Sequence, residues 1–587
     1  MNTTMIVIAF TALALLLLNG PRLYTRLLLS RAKHPSLRGH VRMAKRVARL
    51  IPRYEYDEAM FFRCDEAPAE VAARRRAGFQ RLAADLRVRH AASIQMSEAL
   101  APGVSDMQFV NRYRVPFQFS PRVAEKLKVA TLVTESEGVT LTDVDGHRSY
   151  DLTGAYGVNL LGHDFYKDCI EAAVRRVGKL GPVLGPYHPV IADNVARLRE
   201  SSGMDEVSFH MSGTEAVMQA VRLARYHTGR SHVVRFCGAY NGWWDDVQPG
   251  IGNPAPVGAV YTLKEMDDTT LRVLSRKRNI ACVLVNPLQV MHPNGGAPGD
   301  STLIASDRAA HVDRDAYSRW LRALRRVCDE RGIALILDEV FVGFRLAYRG
   351  AQEYFGVRAD LVTYGKTLGG GLPVGVVCGK ARWMKRFREE RPADICFARG
   401  TFNSHPYVMA AMNEFLVRVA QPEYQALYAH LDATWESRAA LMNRRLADAG
   451  MALRVVNLSS IFTVLYTTPS RYNWMLQFYL NAEGLTLSWV GTGRLIFSLN
   501  YTDADFEAVV DAFIRAGRRM QTDGWWWAEP HTTNRDLKRR VLRELLAAHP
   551  RFSRGAALLR VAFGRTARPS ADTGAISGTA RNHGTDR

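Results

Sequence analysis

The stretch Leu361–Gly375, LVTYGKTLGGGLPVG, places one lysine at the end of an apolar run and a cluster of glycines directly after it. An apolar, β-branched run that is bounded by glycines is typical of a buried strand. Lysine beside such a run is usually a surface residue whose alkyl stem covers apolar atoms. A partly desolvated lysine instead has a lowered pKa and becomes a nucleophile that can form Schiff bases. The role of Lys366 therefore depends on what the fold places around it.

Three further short apolar runs precede this stretch and alternate with helical patterns. They are HVVRF (His232–Phe236), ACVLVNPL (Ala281–Leu288) and IALILDEV (Ile333–Val340). Fully apolar strands that are spaced by helices indicate a mostly parallel sheet covered by helices on both faces. We therefore predict an α/β fold with a large domain over residues 155–400. A smaller α/β domain is predicted over residues 401–524, with residues 96–154 as its N-terminal part.

Two local patterns predict particular elements. The segment Val139–Leu152 alternates polar and apolar residues and turns at Asp145-Gly146, which predicts a β-hairpin. The segment Tyr501–Gly517 has helical periodicity, with a cap predicted at Thr502 or Asp503.

The net charge of +21 is concentrated near the N-terminus of the 587-residue chain. Residues 1–54 contain ten Lys and Arg residues and no Asp or Glu, and residues 22–95 are predicted to form a basic, helical connector. Such an excess of positive over negative side chains can indicate binding to nucleic acid or to an anionic membrane. Neither an RNA-binding aromatic signature nor a zinc-finger spacing accompanies it, so we expect no nucleic-acid partner.

The first 21 residues carry no charged side chain, and Met5–Leu18 is strongly apolar. This predicts a transmembrane anchor over residues 1–21, although the strict run is shorter than the roughly 20 residues that a bilayer needs. The absence of a preceding basic residue and of a small-residue cleavage pattern argues against a signal peptide. Because the basic residues follow the run, the positive-inside bias predicts a single-pass membrane protein whose catalytic domain is cytoplasmic. The alternative is a helix that lies flat on the membrane.

The seven cysteines occur singly, without a CxxC pattern, which favours a reduced compartment over a disulfide framework. The tail over residues 525–587 begins with Trp525–Trp527, which we expect to cover apolar surface. A basic amphipathic helix around Leu537–Leu546 follows, and the Ser/Thr/Gly/Arg-rich end is predicted to be disordered. We predict no metal site.

Three candidate groups lie where ligands bind in open α/β sheets, at the carboxyl ends of strands. Ser212-Gly213-Thr214 can begin a capped helix that suits a phosphate group, although most such starts are only caps. Asp338 ends a buried run, where a carboxylate needs a hydrogen-bonded or positive partner. Its alternative role is to cap the next turn. The adjacent Glu339 faces the other way on a strand, which argues against a glycosidase with two carboxylates.

The order of these groups along the chain is the informative feature. A phosphate-type helix start, an Asp at one strand end and a Lys at the next are what pyridoxal phosphate requires. Asp338 would keep the pyridine nitrogen of the cofactor protonated, and Lys366 would bind the cofactor as a Schiff base and then move the substrate α-proton. The sequence contains no GxGxxG for a nicotinamide cofactor and no GxxxxGK[ST] for ATP.

The chain also resembles a known family from about Val139 to Gly517, through the segments DVDGHRSYDL, LLGH, MSGTEAVMQAVRLAR, TGR, AYNG, LDEVFVGFR, GKTLGGGLPVG and GTFNSHP. These segments resemble the class-III aminotransferases of fold type I, and among them the glutamate-1-semialdehyde aminomutase-like members. The resemblance implies the following site: Ser212, Gly213 and Thr214 on the phosphate, Tyr240 stacked on the ring, Asp338 on the ring nitrogen, Val340 against the ring, Lys366 as the Schiff-base lysine and Thr401 on the phosphate of a neighbouring subunit. A homodimer follows from the last role.

The sequence departs from this family at three places. Asn241 and Asn286, which we retain as cofactor-binding candidates, stand where the family usually has His and Glu. The segment Val110–Phe119 only loosely resembles the substrate-binding segment of the aminomutases.

The predicted function is transfer of an amino group from a donor to a carbonyl substrate, which the predicted membrane anchor suggests to be hydrophobic, lipid-like or carrier-bound. One alternative is an aminomutase that moves an amino group within one molecule. The other is a non-catalytic scaffold, against which Lys366 and Asp338 argue.

Overall fold

The computed structural model describes residues 19–129, 132–248, 250–256, 258–295, 309–488 and 493–549. The strands, in chain order, are β1 (Val133–Glu137), β2 (Thr140–Asp143), β3 (Arg148–Asp151), β4 (Glu206–His210), β5 (His232–Phe236), β6 (Val260–Leu263), β7 (Ile280–Val285), β8 (Ala334–Asp338), β9 (Leu361–Gly365), β10 (Gly375–Gly379), β11 (Phe387–Arg388), β12 (Arg391–Ile395), β13 (Leu453–Leu458), β14 (Ile461–Tyr466), β15 (Leu485–Thr486) and β16 (Arg494–Ile496).

The α-helices, in chain order, are α1 (Val41–Ala48), α2 (Glu58–Arg63), α3 (Ala69–Arg89), α4 (Ala91–Leu100), α5 (Ser105–Tyr113), α6 (Ser120–Lys126), α7 (His163–Val177), α8 (Val190–Ser202), α9 (Gly213–Thr228), α10 (Asp268–Arg276), α11 (Arg314–Arg331), α12 (Gly350–Phe355), α13 (Ala381–Met384), α14 (Pro406–Val419), α15 (Pro422–Ala429), α16 (Leu431–Asp448), α17 (Leu476–Ala482), α18 (Asp503–Thr522) and α19 (Asn534–Ala548). Residues 19–31 are also helical.

A seven-stranded sheet in the order β4-β10-β9-β8-β7-β5-β6 forms the centre of the fold. Every residue of β7, β8, β9 and β10 is buried, as expected for apolar strands that are covered on both faces. Only β10 runs against its neighbours, β4 and β9, so the sheet is mixed. The predicted apolar runs are confirmed as β5, β7, β8 and β9. The run at Ala281–Leu288 stops as a strand at Val285, since Pro287 cannot continue a hydrogen-bonded ladder.

The topology brings six strand ends to one edge of this sheet. Strands β5, β6, β7, β8 and β9 are parallel, and β4 has the same direction because β10 is antiparallel to both β4 and β9. Their carboxyl ends therefore lie side by side. All of the predicted site residues except Thr401 lie at the end of one of these strands or within five residues after it.

Two smaller sheets accompany the central one, in the orders β1-β2-β3-β15 and β13-β14-β16. Strands β2 and β3 are antiparallel and joined across Asp145-Gly146, which confirms the predicted hairpin. Helix α18 begins as predicted: Thr502 caps it, and its side chain and that of Asp505 form a reciprocal capping box. The domain boundaries given above remain predictions.

The N-terminal extension packs on the rest of the molecule. Leu28 and Ala32 are buried, and Lys264 N donates to Ala32 O at 2.8 Å. Much of the predicted connector is helical, in α1 to α4. At the other end of the chain, Trp525 is fully buried and its Nε1–H donates to Tyr479 Oη at 2.8 Å, so this Trp does cover apolar surface. All seven cysteines are buried and unpaired.

The prediction of a single-pass membrane protein is contradicted by the structure. Within the ranges described above, no helix is long and apolar enough to cross a bilayer. Residues 19–21, the described part of the predicted anchor, are helical and continue into residues that include Arg22 and Arg26. Residues 1–18 of the predicted anchor and residues 550–587 of the predicted disordered tail lie outside the described residues.

Candidate active site

Helix α9 begins at the edge of the sheet with the predicted serine as its cap. Ser212 Oγ accepts from Glu215 N at 3.2 Å, and Glu215 Oε2 accepts from Met211 N at 2.9 Å. The backbone N–H groups of the first turn, at Gly213 and Thr214, have no acceptor within the helix. They are therefore available to an anion, which the helix dipole also favours at this end.

Close backbone packing explains the two glycines around this helix start. A Cβ atom on Gly213 would lie 2.5 Å from Val340 Cγ1. One on Gly242, whose φ is +95°, would lie 2.7 Å from Thr214 Oγ1. The start of α9 therefore packs against the segment after β8 and against the loop that carries Tyr240 and Asn241. The lack of a side chain on glycine also allows a phosphate to approach the backbone closely.

Asp338 lies at the end of β8, with 3% of its surface exposed. Its carboxylate accepts from Asn241 Nδ2 at 2.8 Å, from Thr363 Oγ1 at 3.2 Å and from Val340 N at 3.2 Å. Burial raises the pKa of Asp338, while these hydrogen bonds and the Lys366 ammonium oppose that rise. A positive partner at this carboxylate would favour its charged form.

Lys366 follows β9 directly and adopts a φ of 50°. Its Nζ atom lies 5.5 Å from the centre of the Phe341 ring. Burial lowers the pKa of Lys366; Asp338 opposes this and the Arg345 guanidinium adds to it. A lowered pKa increases the fraction of neutral amine, which is the nucleophilic form.

The remaining predicted residues have different settings. Asn286 Nδ2 donates to Tyr240 O at 2.6 Å and Asn286 Oδ1 accepts from Leu288 N at 3.2 Å, so this side chain holds the Tyr240 loop against the end of β7. The Tyr240 side chain itself is half exposed, at 49%. Thr401 lies exposed in the turn before α14. Its predicted contact with a neighbouring subunit is not tested by a single chain.

Two residues near Asp338 and Lys366, Thr363 and Arg345, were not among the predicted site residues. Thr363 is the register partner of Asp338 across β8 and β9, and a polar residue within an apolar run was the available signal. Arg345 is fully buried and donates to Ser460 Oγ and Phe497 O, each at 2.8 Å. Its burial lowers its pKa to about 10. No local pattern distinguishes such an arginine from an exposed one.

A cavity of about 240 Å³ lies between residues 114–156 and residues 477–487. Its polar lining is formed by Arg114, Tyr156, Gln477, Asn481 and Thr486, and its apolar lining by Val129, Val133 and Leu487. Tyr156 relates the cavity to the lysine along the chain, because a Cβ on the next residue, Gly157, would lie 3.2 Å from Lys366 Cδ.

Arg114 was not among the predicted site residues. Burial lowers the pKa of its guanidinium, and Tyr156 is the nearby group that opposes this. The buried Nε atom has no hydrogen-bond partner among the residues that the structure describes. A guanidinium in this setting favours an anionic ligand.

The described residues fit pyridoxal phosphate. The α9 start suits its phosphate, the buried Asp338 carboxylate suits a protonated pyridine nitrogen, and Lys366 can bind its aldehyde carbon. In addition, Asn241 Oδ1 is buried beside Asp338 and has no hydrogen-bond partner in the described part of the chain. A bound ligand with a polar group would satisfy it.

Comparison with known proteins agrees with this fit. The family model for Aminotransferase class-III matches residues 122–246 and 313–516, which is more than half of the chain. A glutamate-1-semialdehyde 2,1-aminomutase of Nitratidesulfovibrio vulgaris (strain DP4) is 30% identical over 395 residues, covering 65% of this chain and 90% of that protein. The one of Hyperthermus butylicus is 37% identical over 282 residues, but the match spans only 48% of this chain and 64% of that protein.

A solved structure described as a transaminase with PLP bound has 26% sequence identity and a TM-score of 0.57, over 72% of this chain and 99% of its own. With the family match and the arrangement of Asp338 and Lys366, this leads to one conclusion: the chain belongs to the class-III aminotransferase family, whose enzymes depend on pyridoxal 5'-phosphate.

Proposed function

We propose that the protein is an aminotransferase that moves an amino group onto a small carbonyl substrate bearing a carboxylate. The observation that carries the substrate class is the cavity lined by the Arg114 guanidinium and by Tyr156, whose neighbour in the chain, Gly157, lies against the Lys366 side chain. Arg114 makes no ion pair with a carboxylate among the residues that the structure describes, and such a cation at a concave site favours an anionic substrate group. The expectation of a hydrophobic or carrier-bound substrate rested on the membrane anchor and has no such support.

The predicted residues would divide the work of holding the cofactor. Ser212, Gly213 and Thr214 would bind its phosphate at the start of α9, and Tyr240 and Val340 would flank its ring. Asn286 keeps the Tyr240 loop in place. Thr401 would reach the phosphate in a neighbouring subunit of a homodimer.

Asp338 and Asn241 would act at the ring nitrogen. The bound cofactor supplies an electron sink for the carbon that loses a proton. Asp338 is supported in its charged form by hydrogen bonds from Asn241 and Thr363. It can therefore hold a proton on the ring nitrogen, which maintains that electron sink.

Lys366 would act twice. Its neutral amine, favoured by burial, would bind the cofactor covalently before substrate enters. With the substrate amine in its place, Nζ would be free to take the proton from the substrate carbon that bears the amino group and to deliver it to the carbon that must gain one.

A second candidate, intramolecular amino transfer, is favoured by the relatives, several of which are named glutamate-1-semialdehyde 2,1-aminomutase. Such a reaction needs no separate amino donor. A carboxylate-bearing amino aldehyde would suit the Arg114 cavity equally well.

The test is to load the protein with pyridoxal phosphate and to screen amines and amino acids for loss of the visible absorbance of the lysine-bound cofactor. Amino donors that bleach the band and are then consumed only with a second, keto substrate support the aminotransferase. Complete turnover of one amino aldehyde with no second substrate supports the aminomutase. Absence of the band in the wild type, with no difference from Lys366→Ala, would contradict both.

A further inference from the structure

His90 connects the N-terminal extension to the substrate cavity. It lies between α3 and α4 and is 3% exposed. Its Nε2 atom is 2.9 Å from Asn481 Oδ1, near the end of α17, and Asn481 lines the cavity. On the other side of the ring, Nδ1 lies 3.4 Å from Asp143 Oδ2 in the β2–β3 hairpin.

The Asn481 amide is placed with its oxygen against His90 Nε2. An amide oxygen only accepts, so His90 Nε2–H donates to it and the NH₂ group is the end of Asn481 that remains for the cavity. On the other side of the ring, Nδ1 faces the Asp143 carboxylate and makes no hydrogen bond within the described residues. The ring is thus held between the hairpin and α17.

The hairpin holds His90 firmly through its second carboxylate. Asp145 accepts from Ala92 N at 2.6 Å and from Ser93 N at 2.9 Å, in the first turn of α4 that follows His90. Asp143 Oδ1 accepts from two backbone N–H groups of the turn. His90, Asp143 and Asp145 also lie close enough together to hold a metal ion. Both Asp145 oxygens and Asp143 Oδ1 already accept backbone hydrogen bonds. These bonds explain where the two carboxylates lie without a bound metal ion.

We propose that His90 is a positioning residue that presents the Asn481 NH₂ group, beside the Arg114 guanidinium, to the substrate carboxylate. This rests on the proposed function, because it names how the same cavity recognises its acid group. Asn481 is then a specificity-determining residue, and an extension outside the matched family region of residues 122–246 and 313–516 completes the substrate site.

The experiment measures the affinity of the holoenzyme for glutarate, an unreactive dicarboxylate, by titration calorimetry. His90→Phe and Asn481→Ala should each weaken binding about 5- to 10-fold, the effect of one lost hydrogen bond to a charged group. The double variant should bind no more weakly than Asn481→Ala, because both changes remove the same contact. His90→Gln, whose amide NH₂ can donate to Asn481, should bind within about twofold of wild type.

Ser97→Ala is the matched control, since Ser97 lies on the same helix α4, one turn further from His90, and outside the cavity lining. It should leave glutarate affinity unchanged. In the steady state, His90→Phe should raise KM for the carboxylate substrate and leave kcat nearly unchanged. If His90→Phe does not fold, His90→Asn replaces it: its shorter side chain should lose the contact that His90→Gln keeps.

The outcomes distinguish a failure of the proposed acid site from a failure of the proposed role of His90. If glutarate does not bind, or if Arg114→Leu does not weaken its binding, the proposed acid site fails and the role of His90 fails with it. If glutarate binding depends on Arg114 but His90→Phe binds glutarate like the wild type, only the proposed role of His90 is wrong. The same conclusion follows if the double variant loses the product of the two single losses in affinity.

Discussion

At the scale of single residues, the site pairs a buried acid with a buried base. Three hydrogen bonds hold the Asp338 carboxylate, and Lys366 is positioned by following β9 directly. The charge of Lys366 lowers the pKa of Asp338, and the charge of Asp338 raises the pKa of Lys366, so each group favours the charged form of the other. The same environment that makes an unpaired carboxylate costly makes a pyridinium partner favourable. This accounts for an acid at the end of an otherwise apolar strand.

Asp338→Asn should therefore lower kcat at least 100-fold while the cofactor still binds, because a neutral amide cannot hold the ring nitrogen protonated. Single-turnover kinetics with an amino donor would measure this loss. Thr363→Val, which removes one of the hydrogen bonds to the same carboxylate, serves as the control and should cost about tenfold or less. Equal rates in Asp338→Asn and wild type would refute the assignment.

Two other buried acids set a pH dependence of stability. Burial raises the pKa of Glu265 and of Glu339 to about 8 in each case. Below pH 4.5 both folded and unfolded chains hold these protons, whereas between about pH 4.5 and 8 only the folded chain does. The free energy of unfolding should therefore fall as the pH rises through this window.

Glu265→Gln isolates this effect, since the amide oxygen can still accept from Tyr317 Oη. It should match wild type near pH 5 and be more stable by on the order of 1–3 kcal/mol at pH 8.5. Urea denaturation at the two pH values measures the difference, with the exposed Glu70→Gln as control. An equal shift at both pH values would show that titration is not the cause.

At the scale of elements, the start of α9 depends on close packing. Gly213→Ala would bring a methyl group against Val340, so the first turn must move away from the segment after β8. We expect at least a tenfold loss of affinity for pyridoxal phosphate, measured by equilibrium dialysis, with partial recovery in Gly213→Ala/Val340→Ala. Gly103→Ala, at a position with open space, is the control. Undiminished affinity in Gly213→Ala would exclude the phosphate role.

The sequence was sufficient for elements whose signals are local. The apolar runs predicted β7, β8 and β9, and the parallel arrangement then placed Ser212, Asp338 and Lys366 at one edge without further information. The Arg114 cavity and the contact of His90 with Asn481 were out of reach, because they join residues hundreds of positions apart. A buried arginine or histidine has no periodicity of its own, and only the packed fold identifies its neighbours.

At the scale of the whole molecule, apolar side chains remain exposed near the site in a single chain. Tyr240 and Trp243 are 49% and 74% exposed, and Phe397 and Phe402, on either side of Thr401, are 65% and 51% exposed. Exposed aromatic residues of this kind mark interaction surfaces. They support the proposed homodimer in which Thr401 reaches a neighbouring site.

Light scattering should accordingly give twice the 65.7 kDa chain mass. Trp243→Ser/Phe402→Ser should shift the protein toward monomer and reduce activity in parallel. Val88→Ser, at an 81% exposed position on α3, should change neither. A fully active monomer would refute the shared site.

The most direct test of the central claim is to reduce the pyridoxal-phosphate-loaded protein with borohydride and to locate the modified peptide by mass spectrometry. The account predicts stoichiometric pyridoxyl modification of Lys366 and none in Lys366→Arg. Modification of another lysine, such as Lys380 beside the opposite end of β9, with Lys366 unmodified, would contradict it.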